Sequence, residues 1–362
     1  MWPDRRLIDL FGTDLPIVQA PMAGANGSAM VIAAAQAGSL GSLPCGMLDG
    51  DKVRAEVRVI RQQTSNPVNL NFFCHQPARP DPARDTAWKE ILAAYYAEFG
   101  LEENAAAGTV NRAPFDETMC GIVEEAKPEI VSFHYGLPAK GLLDRVKAAG
   151  SRVMSSATTV ADAKWLEAHG CDAIIAQGYE AGGHRGMFLT DDVTSQAGTF
   201  ALVPQVADAV GVPVVAAGGI ADGRGIAAAF ALGAAGVQIG TAYLFTPESL
   251  ISDLHRDALN SARDDQTALT NLFSGRPARG VINRLMQEIG PISNAAPAFP
   301  TAGGALAPLK AAAEADGSSD FSSLWSGQAA GLGREMPTAV LTKKLAEDAL
   351  EVFANIASNG SN

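Results

Sequence analysis

From Pro213 to Leu244 the chain reads PVVAAGGIADGRGIAAAFALGAAGVQIGTAYL, and this stretch sets the expectation for the fold. Val214 to Ala217 is a short apolar run, the pattern of a strand buried on both faces. Gly218 and Gly219 break it, Gly223–Leu232 follows as a helix, and a second apolar run opens at Ala235 and stops at Gly240. Strand, helix and strand in so short a span make a βαβ unit, which requires parallel strands.

The same unit recurs on the N-terminal side. Further strands are expected to begin near Ile17, Ser39, Pro67, Glu129, Arg152 and Cys171. Helices are expected over Gly50–Thr64, Ala139–Ala149, Val160–His169 and Val203–Val210. Eight strands, each followed by a helical segment, spell an α/β fold of the TIM (β/α)8 barrel type. A doubly wound open sheet also alternates, but its GxGxxG fingerprint is missing from the turn after Ile17.

Two inter-strand intervals are too long for a simple barrel. One spans Pro77 to Phe115, where Pro77, Pro80 and Pro82 precede a helical stretch holding Trp88, Tyr95 and Tyr96. The other carries GYEAGGHRG at Gly178–Gly186. Both follow strands, and that is the face on which barrels place their chemistry. After the eighth strand come a helix near Leu250–Ala262 and a helix over Thr267–Ile289 interrupted at Gly275-Arg276-Pro277. A last helix is expected from Thr338 to Ile356. The expected division is a barrel of residues 1–75 and 116–265, a helical insertion 76–115, a substrate-capping region 266–340, and a closing helix and tail 341–362. The barrel thus carries a smaller, mainly helical capping domain.

Composition narrows the function. Hydrophobic residues make up 47% of the chain, enough for a substantial core. A net charge of −12 argues against nucleic acid or an anionic membrane as a partner. Cys45, Cys74, Cys120 and Cys171 form no CxxC pair, which suits free thiols in a reducing cytoplasm. No signal-like N-terminus and no membrane-spanning run are visible, so a cytoplasmic protein is expected, as monomer or homodimer. No HExxH or similar spacing appears, and no metal is expected.

Two segments look built for a phosphate-bearing ligand. Ala216-Ala217-Gly218-Gly219-Ile220 ends the seventh strand, and Gln238-Ile239-Gly240-Thr241 ends the eighth. Barrels bind phosphate in the loops after those two strands, although glycines there also serve tight turns. His184 stands among glycines in the loop after the sixth strand, and imidazole exchanges protons near neutral pH. The residues alone leave open a surface histidine in a glycine turn. Pro21 and Met22 end the first strand, and Asn69 and Asn71 put amides into the third. His75 and His134 read as satisfied structural histidines, and His169 and His255 as helix-surface ones.

Six segments in this order resemble class I nitronate monooxygenase, formerly 2-nitropropane dioxygenase. They are QAPMAG at the first strand, NFFCH at Asn71–His75, SFHYGLP at Ser132–Pro138, GYEAGGHRG, AAGGIADGRG at Ala216–Gly225, and GAAGVQIGTAYL at Gly233–Leu244. The resemblance implies an FMN-binding barrel that oxidises alkyl nitronates with O2, with propionate 3-nitronate as the expected substrate. The implied route is single-electron transfer through a flavin semiquinone, giving malonic semialdehyde, nitrite and nitrate. By motif, Pro21, Met22, Asn71, Gln177, Gly182 and Gly183 would meet the flavin. Gly218, Gly219 and Gln238, Ile239, Gly240 and Thr241 would hold its phosphate, and His184 would be the catalytic histidine. Charge suggests His134, Arg185 or Lys310 for a substrate carboxylate. The alternative is an FMN-dependent NAD(P)H reductase, acting on a quinone or enoyl thioester, on the same barrel. A flavin-free isomerase or aldolase and a non-catalytic flavin-binding protein are more distant readings.

Overall fold

The computed structural model describes residues 1–102 and 112–359. Its strands are β1 (Ile17–Gln19), β2 (Gly41–Pro44), β3 (Val68–Phe73), β4 (Ile130–His134), β5 (Arg152–Ala157), β6 (Ala173–Gln177), β7 (Gly183–His184), β8 (Val214–Ala217), β9 (Gly236–Ile239), β10 (Thr267–Thr270) and β11 (Ala278–Val281). Eight of them form one parallel sheet in the order β1-β9-β8-β6-β5-β4-β3-β2. A parallel bridge between Val18 and Leu40 joins the two ends, so the sheet closes into a barrel. Each expected barrel strand lies within two residues of its observed start.

The sequence makes these strands recognisable because nearly every position in them is buried. Helices lie outside and leave no strand a wet face. Leu7 and Phe11, from the helix Arg6–Phe11, join Val18, Leu40, Ile130, Ala173 and Ala235 in one apolar cluster. All five lie at or next to the first residue of a strand, so the N-terminal helix covers the end of the barrel away from the loops that matter. Towards the other end the interior turns polar. The Asn69 amide donates to Ser42 Oγ at 3.0 Å and Ser132 Oγ at 2.8 Å, and the Asn71 amide donates to Ser132 Oγ at 2.9 Å.

Helix starts follow local chemistry. Asp49, Asp81, Asp116 and Asp222 each cap a helix by accepting from its first-turn N–H groups. Thr159 and Asp162 form a reciprocal capping box at Val160–Ala168. The helix Thr338–Asn359 packs against Gly223–Ala231 and Ser28–Gln36. It therefore fills the outer-ring place between the helix of the seventh barrel strand and that of the first.

What lies between β9 and that helix is a cap on the barrel mouth. Leu272, Phe273, Leu285, Met286, Leu309 and Phe321 share a core with Trp88, Leu92, Tyr95 and Tyr96 of the helix Pro82–Glu98. Trp88 Nε1 donates to Ala302 O at 3.2 Å, and Tyr96 Oη donates to Ala305 O at 2.6 Å. The stretches 76–115 and 266–340 thus contribute to a single small core. Residues 103–111 of the first, and residues 360–362 of the tail, lie outside the described residues.

The helix expected over Thr267–Ile289, interrupted at Gly275-Arg276-Pro277, is corrected. β10 and β11 pair antiparallel there, Thr267 opposite Val281 and Thr270 opposite Ala278, and only Arg284–Ile289 is helical. β11 also pairs with β7, setting Ala278 opposite His184. Leu269, Leu272 and Phe273 have helical spacing, but the partner that makes the segment extended is a loop some ninety residues earlier in the chain.

Candidate active site

The segments after β8 and β9 are open to an anion. Gly218 and Gly219 hold φ of 114° and 71°, a left-handed pair that turns successive N–H groups to one side. No protein acceptor takes the N–H groups of Gly219, Gly240 or Thr241 among the described residues. Gln238 Oε1 is buried with no partner there, so it calls for a donor such as a ribityl hydroxyl. A Cβ on Gly240 would stand 3.8 Å from Met22 Sδ, which places Met22 beside the same segment. These features fit the FMN that the sequence motifs imply. Gly183 has φ of 69° and open space at its Cβ position. Gly182 instead lies against the backbone of Ser326 and Gly327, and a Cβ there would be 3.1 Å from Thr241 Oγ1. The root of the His184 loop therefore touches the phosphate segment.

The internal hydrogen bonds of that loop fix its shape. Gln177 Nε2 donates to His184 O at 2.9 Å, and Gln177 Oε1 accepts the Gly186 N–H at 2.7 Å. Both ends of the Gln177 amide are thus committed to the loop. The Arg185 guanidinium is fully buried and donates to Gln196 Oε1 at 2.7 Å, Gly178 O at 2.6 Å and Gln177 O at 2.8 Å. His134 Nε2 donates to His184 O at 3.2 Å, and its Nδ1 lies 3.1 Å from Ser156 Oγ. His134 is therefore satisfied, as expected. Lys310 sits half exposed on the helix Ala307–Ala315, with Nζ 3.7 Å from Glu314.

His184 is held by its other face. Its Nε2 is 2.8 Å from Ser274 Oγ, and Ser274 Oγ donates to Arg276 O at 3.2 Å. Assigning the hydroxyl's single hydrogen to that carbonyl makes Ser274 the acceptor and puts the His184 proton on Nε2. Nδ1 then holds the lone pair and has no hydrogen bond among the described residues. Burial, then the charges of Arg112 and Arg276 together with His134, push the His184 pKa well below the usual histidine value. The imidazole is a neutral base at pH 7.

Sequence reading missed what surrounds it. Tyr135, Phe299 and Trp325 stand 6.4, 5.5 and 5.3 Å from the His184 ring, centroid to centroid. Phe73 and His75 extend this wall, with His75 at 4.8 Å from Phe299. The Arg276 guanidinium lies 4.3 Å from the Tyr135 ring, and that of Arg112 lies 5.6 Å from Phe299. Tyr135 has φ of 73°, a strained value for a non-glycine residue and one typical of sites. The residues converge from six separate stretches, and only NFFCH and SFHYGLP gave a signal.

Two histidine expectations are corrected. His75 is not fully satisfied: its Nδ1 is buried without a partner among the described residues. His255 is not on a helix surface but buried, with Nε2 3.0 Å from Trp325 O. Burial first, then neighbouring positive charge, lowers the pKa of His75 to about 4. Burial likewise takes His134 to about 4, against the pull of its bond to His184 O. The unfolded chain binds protons on these groups below about pH 6.5, where the folded chain refuses them. Their stabilising share is therefore complete above that pH and is lost as pH falls towards 4, by about 2–3 kcal/mol for each of the two. Urea midpoints measured from pH 8 down to pH 5 should hold steady and then drop below about pH 6.5. A midpoint independent of pH would contradict neutral burial of these rings.

Comparison with known proteins places this geometry. A family model described as nitronate monooxygenase matches residues 4–348. A Pseudomonas aeruginosa protein named nitronate monooxygenase is 43% identical over 345 residues, covering 95% of this chain and 98% of that one. The crystal structure of nitroalkane oxidase from Streptomyces ansochromogenes superposes with a TM-score of 0.88 at 36% identity, covering 97% and 99% of the two chains. FabK from Thermotoga maritima is similar at a TM-score of 0.73 and 26% identity, covering 99% and 100%.

Proposed function

The chain belongs to the nitronate monooxygenase family of oxidoreductases, and from that premise we propose that it uses FMN and O2 to oxidise alkyl nitronates, propionate 3-nitronate first among them. The observation that carries this reading is His184: a neutral imidazole, proton on Nε2 and lone pair on Nδ1, on a loop in contact with the phosphate segment. Gly218, Gly219, Gly240 and Thr241 would hold the cofactor phosphate through their N–H groups. Gln238 would meet the polar chain, and Met22 would cover one side. FMN, when bound, supplies a one-electron acceptor next to the substrate.

The chain's own residues do the rest. A nitronate is an electron-rich anion, and the Arg112 and Arg276 charges favour its binding beside His184. Where a neutral nitroalkane enters instead, Nδ1 of His184 is the base that removes its α-proton. Ser274 then holds Nε2–H, steadying the imidazolium that forms. The aromatic wall of Phe73, Tyr135, Phe299 and Trp325 keeps water from the reacting carbon.

The alternative, an FMN-dependent NAD(P)H reductase, is separated by one spectrum. The purified protein should be yellow, and under anaerobic conditions its visible absorbance should change with propionate 3-nitronate and hardly at all with NADH. The opposite pattern assigns the reductase. A protein that binds no flavin even when FMN is supplied sinks both. Among the described residues no helix is long and apolar enough to cross a membrane.

A further inference from the structure

We propose that Arg112 and Arg276 are the specificity-determining residues of this pocket, together receiving the carboxylate of a nitronate that carries one. The inference rests on the nitronate reading above and names which part of the pocket selects within that class.

The case begins with how this chain treats its other arginines. Arg54, Arg61, Arg145 and Arg284 face glutamates, with Arg61 2.7 Å from Glu129 and Arg284 2.7 Å from Glu98. The deeply buried Arg185 and Arg279 spend their donors on backbone and side-chain oxygens. Arg112 and Arg276 do neither. Their guanidinium groups donate no hydrogen bond among the described residues, and each is seen only over an aromatic face. The carboxylate nearest Arg276 is Asp191 at 3.9 Å, on a side chain wholly in solvent, while the Arg276 side chain is only 21% exposed. A screened contact of that kind contributes little.

Two half-buried guanidiniums beside apolar rings carry an unmet requirement for acceptors. They sit at one pocket, since Tyr135 and Phe299, the rings beneath them, are 5.4 Å apart. Both also act on the same imidazoles, His75 and His184. Among the described residues, two further polar groups there are buried without partners: Tyr135 Oη and His75 Nδ1. The pocket is thus supplied with donors beyond what the protein itself satisfies, inside a chain of net charge −12. A substrate with a nitronate at His184 and a carboxylate at its far end answers that surplus. Arginine is suited to the task because its planar fork binds a carboxylate through two parallel N–H bonds.

The test compares two nitronates on one preparation: propionate 3-nitronate, which carries the carboxylate, and ethyl nitronate, which does not. Arg276→Gln and Arg112→Gln should each lower kcat/KM for propionate 3-nitronate by about 10-fold or more, most of it through KM, and lower that for ethyl nitronate by a several-fold smaller factor, since ethyl nitronate loses only the general attraction for an anion. Arg276→Lys should recover part of the loss, because it restores charge without the fork. Retained ethyl nitronate turnover shows that a variant is folded. Equal losses on both substrates, or none on either, overturn the proposal. If the wild type oxidises neither nitronate, the functional reading fails on its own. Anaerobic calorimetry with 3-nitropropionate then decides the arginines: binding weakened in both variants supports them, and binding unchanged, or absent from the wild type, overturns them.

Discussion

Replacing His184 with asparagine should lower kcat/KM for a neutral nitroalkane at pH 7 by about 10²- to 10⁴-fold. Turnover of the preformed nitronate should fall far less. The split follows from what the imidazole has to offer. Its Nε2–H is committed to Ser274 Oγ at 2.8 Å, and its Nδ1 lone pair is the only part left for chemistry. Asparagine is similar in reach and polarity but is not a base, so proton abstraction is lost while the shape of the loop is kept. A nitronate has already given up that proton and needs only to be positioned. Because the arginines and burial hold the pKa of His184 down, wild-type activity on the nitroalkane should also persist below pH 6.5, where an ordinary histidine is half protonated. Equal losses on nitroalkane and nitronate would move the base elsewhere and leave His184 a binding residue.

Replacing Arg185 with methionine should cost about 3 kcal/mol or more of stability, and most of the activity with it. The side chain has no exposure, and its pKa is drawn down to about 10, chiefly by burial. Removing it relieves the cost of a buried charge but orphans two buried acceptors, Gln177 O and Gln196 Oε1, and leaves Gly178 O with only the Ala181 N–H. Each unsatisfied acceptor costs about 1–3 kcal/mol, so the loss exceeds the relief. Gln177 O and Gly178 O lie where β6 becomes the His184 loop, and Gln177 also holds His184 O. The loop should therefore loosen at its root. Lysine at 185 should rescue little, since one ammonium on a flexible stem does not span three fixed oxygens. Denaturant unfolding reads the effect, and an unchanged urea midpoint for the methionine variant would refute this account of the loop.

The barrel was legible because its signals are local. Val214–Ala217 and Gly236–Ile239 are buried on both faces, so they read as unbroken apolar runs, and glycines at their ends mark the turns. His184 was legible for a similar reason, being the one histidine set among glycines. The rest depends on partners far away in the chain. β11 is extended because β7 pairs with it, and β10 in turn pairs with β11; nothing between Thr267 and Ile289 announces β7. His255 sits in a run of charged residues that reads as solvated, yet the Trp325 carbonyl covers it from seventy positions on. Arg185 drew attention as a spare positive charge, but charge alone did not reveal that each of its three nitrogens already holds a hydrogen bond. Arg112 and Arg276 drew none, since an arginine shows its vacancy only when its surroundings are known.

The outer ring of the barrel carries a further consequence. Its last place is filled by Thr338–Asn359, and most of what roofs the pocket, apart from the helix Pro82–Glu98, is encoded before that helix and after β9. On the ribosome most of the roof therefore emerges while the wall beneath it still lacks its last helix, and the outer ring closes when that helix docks.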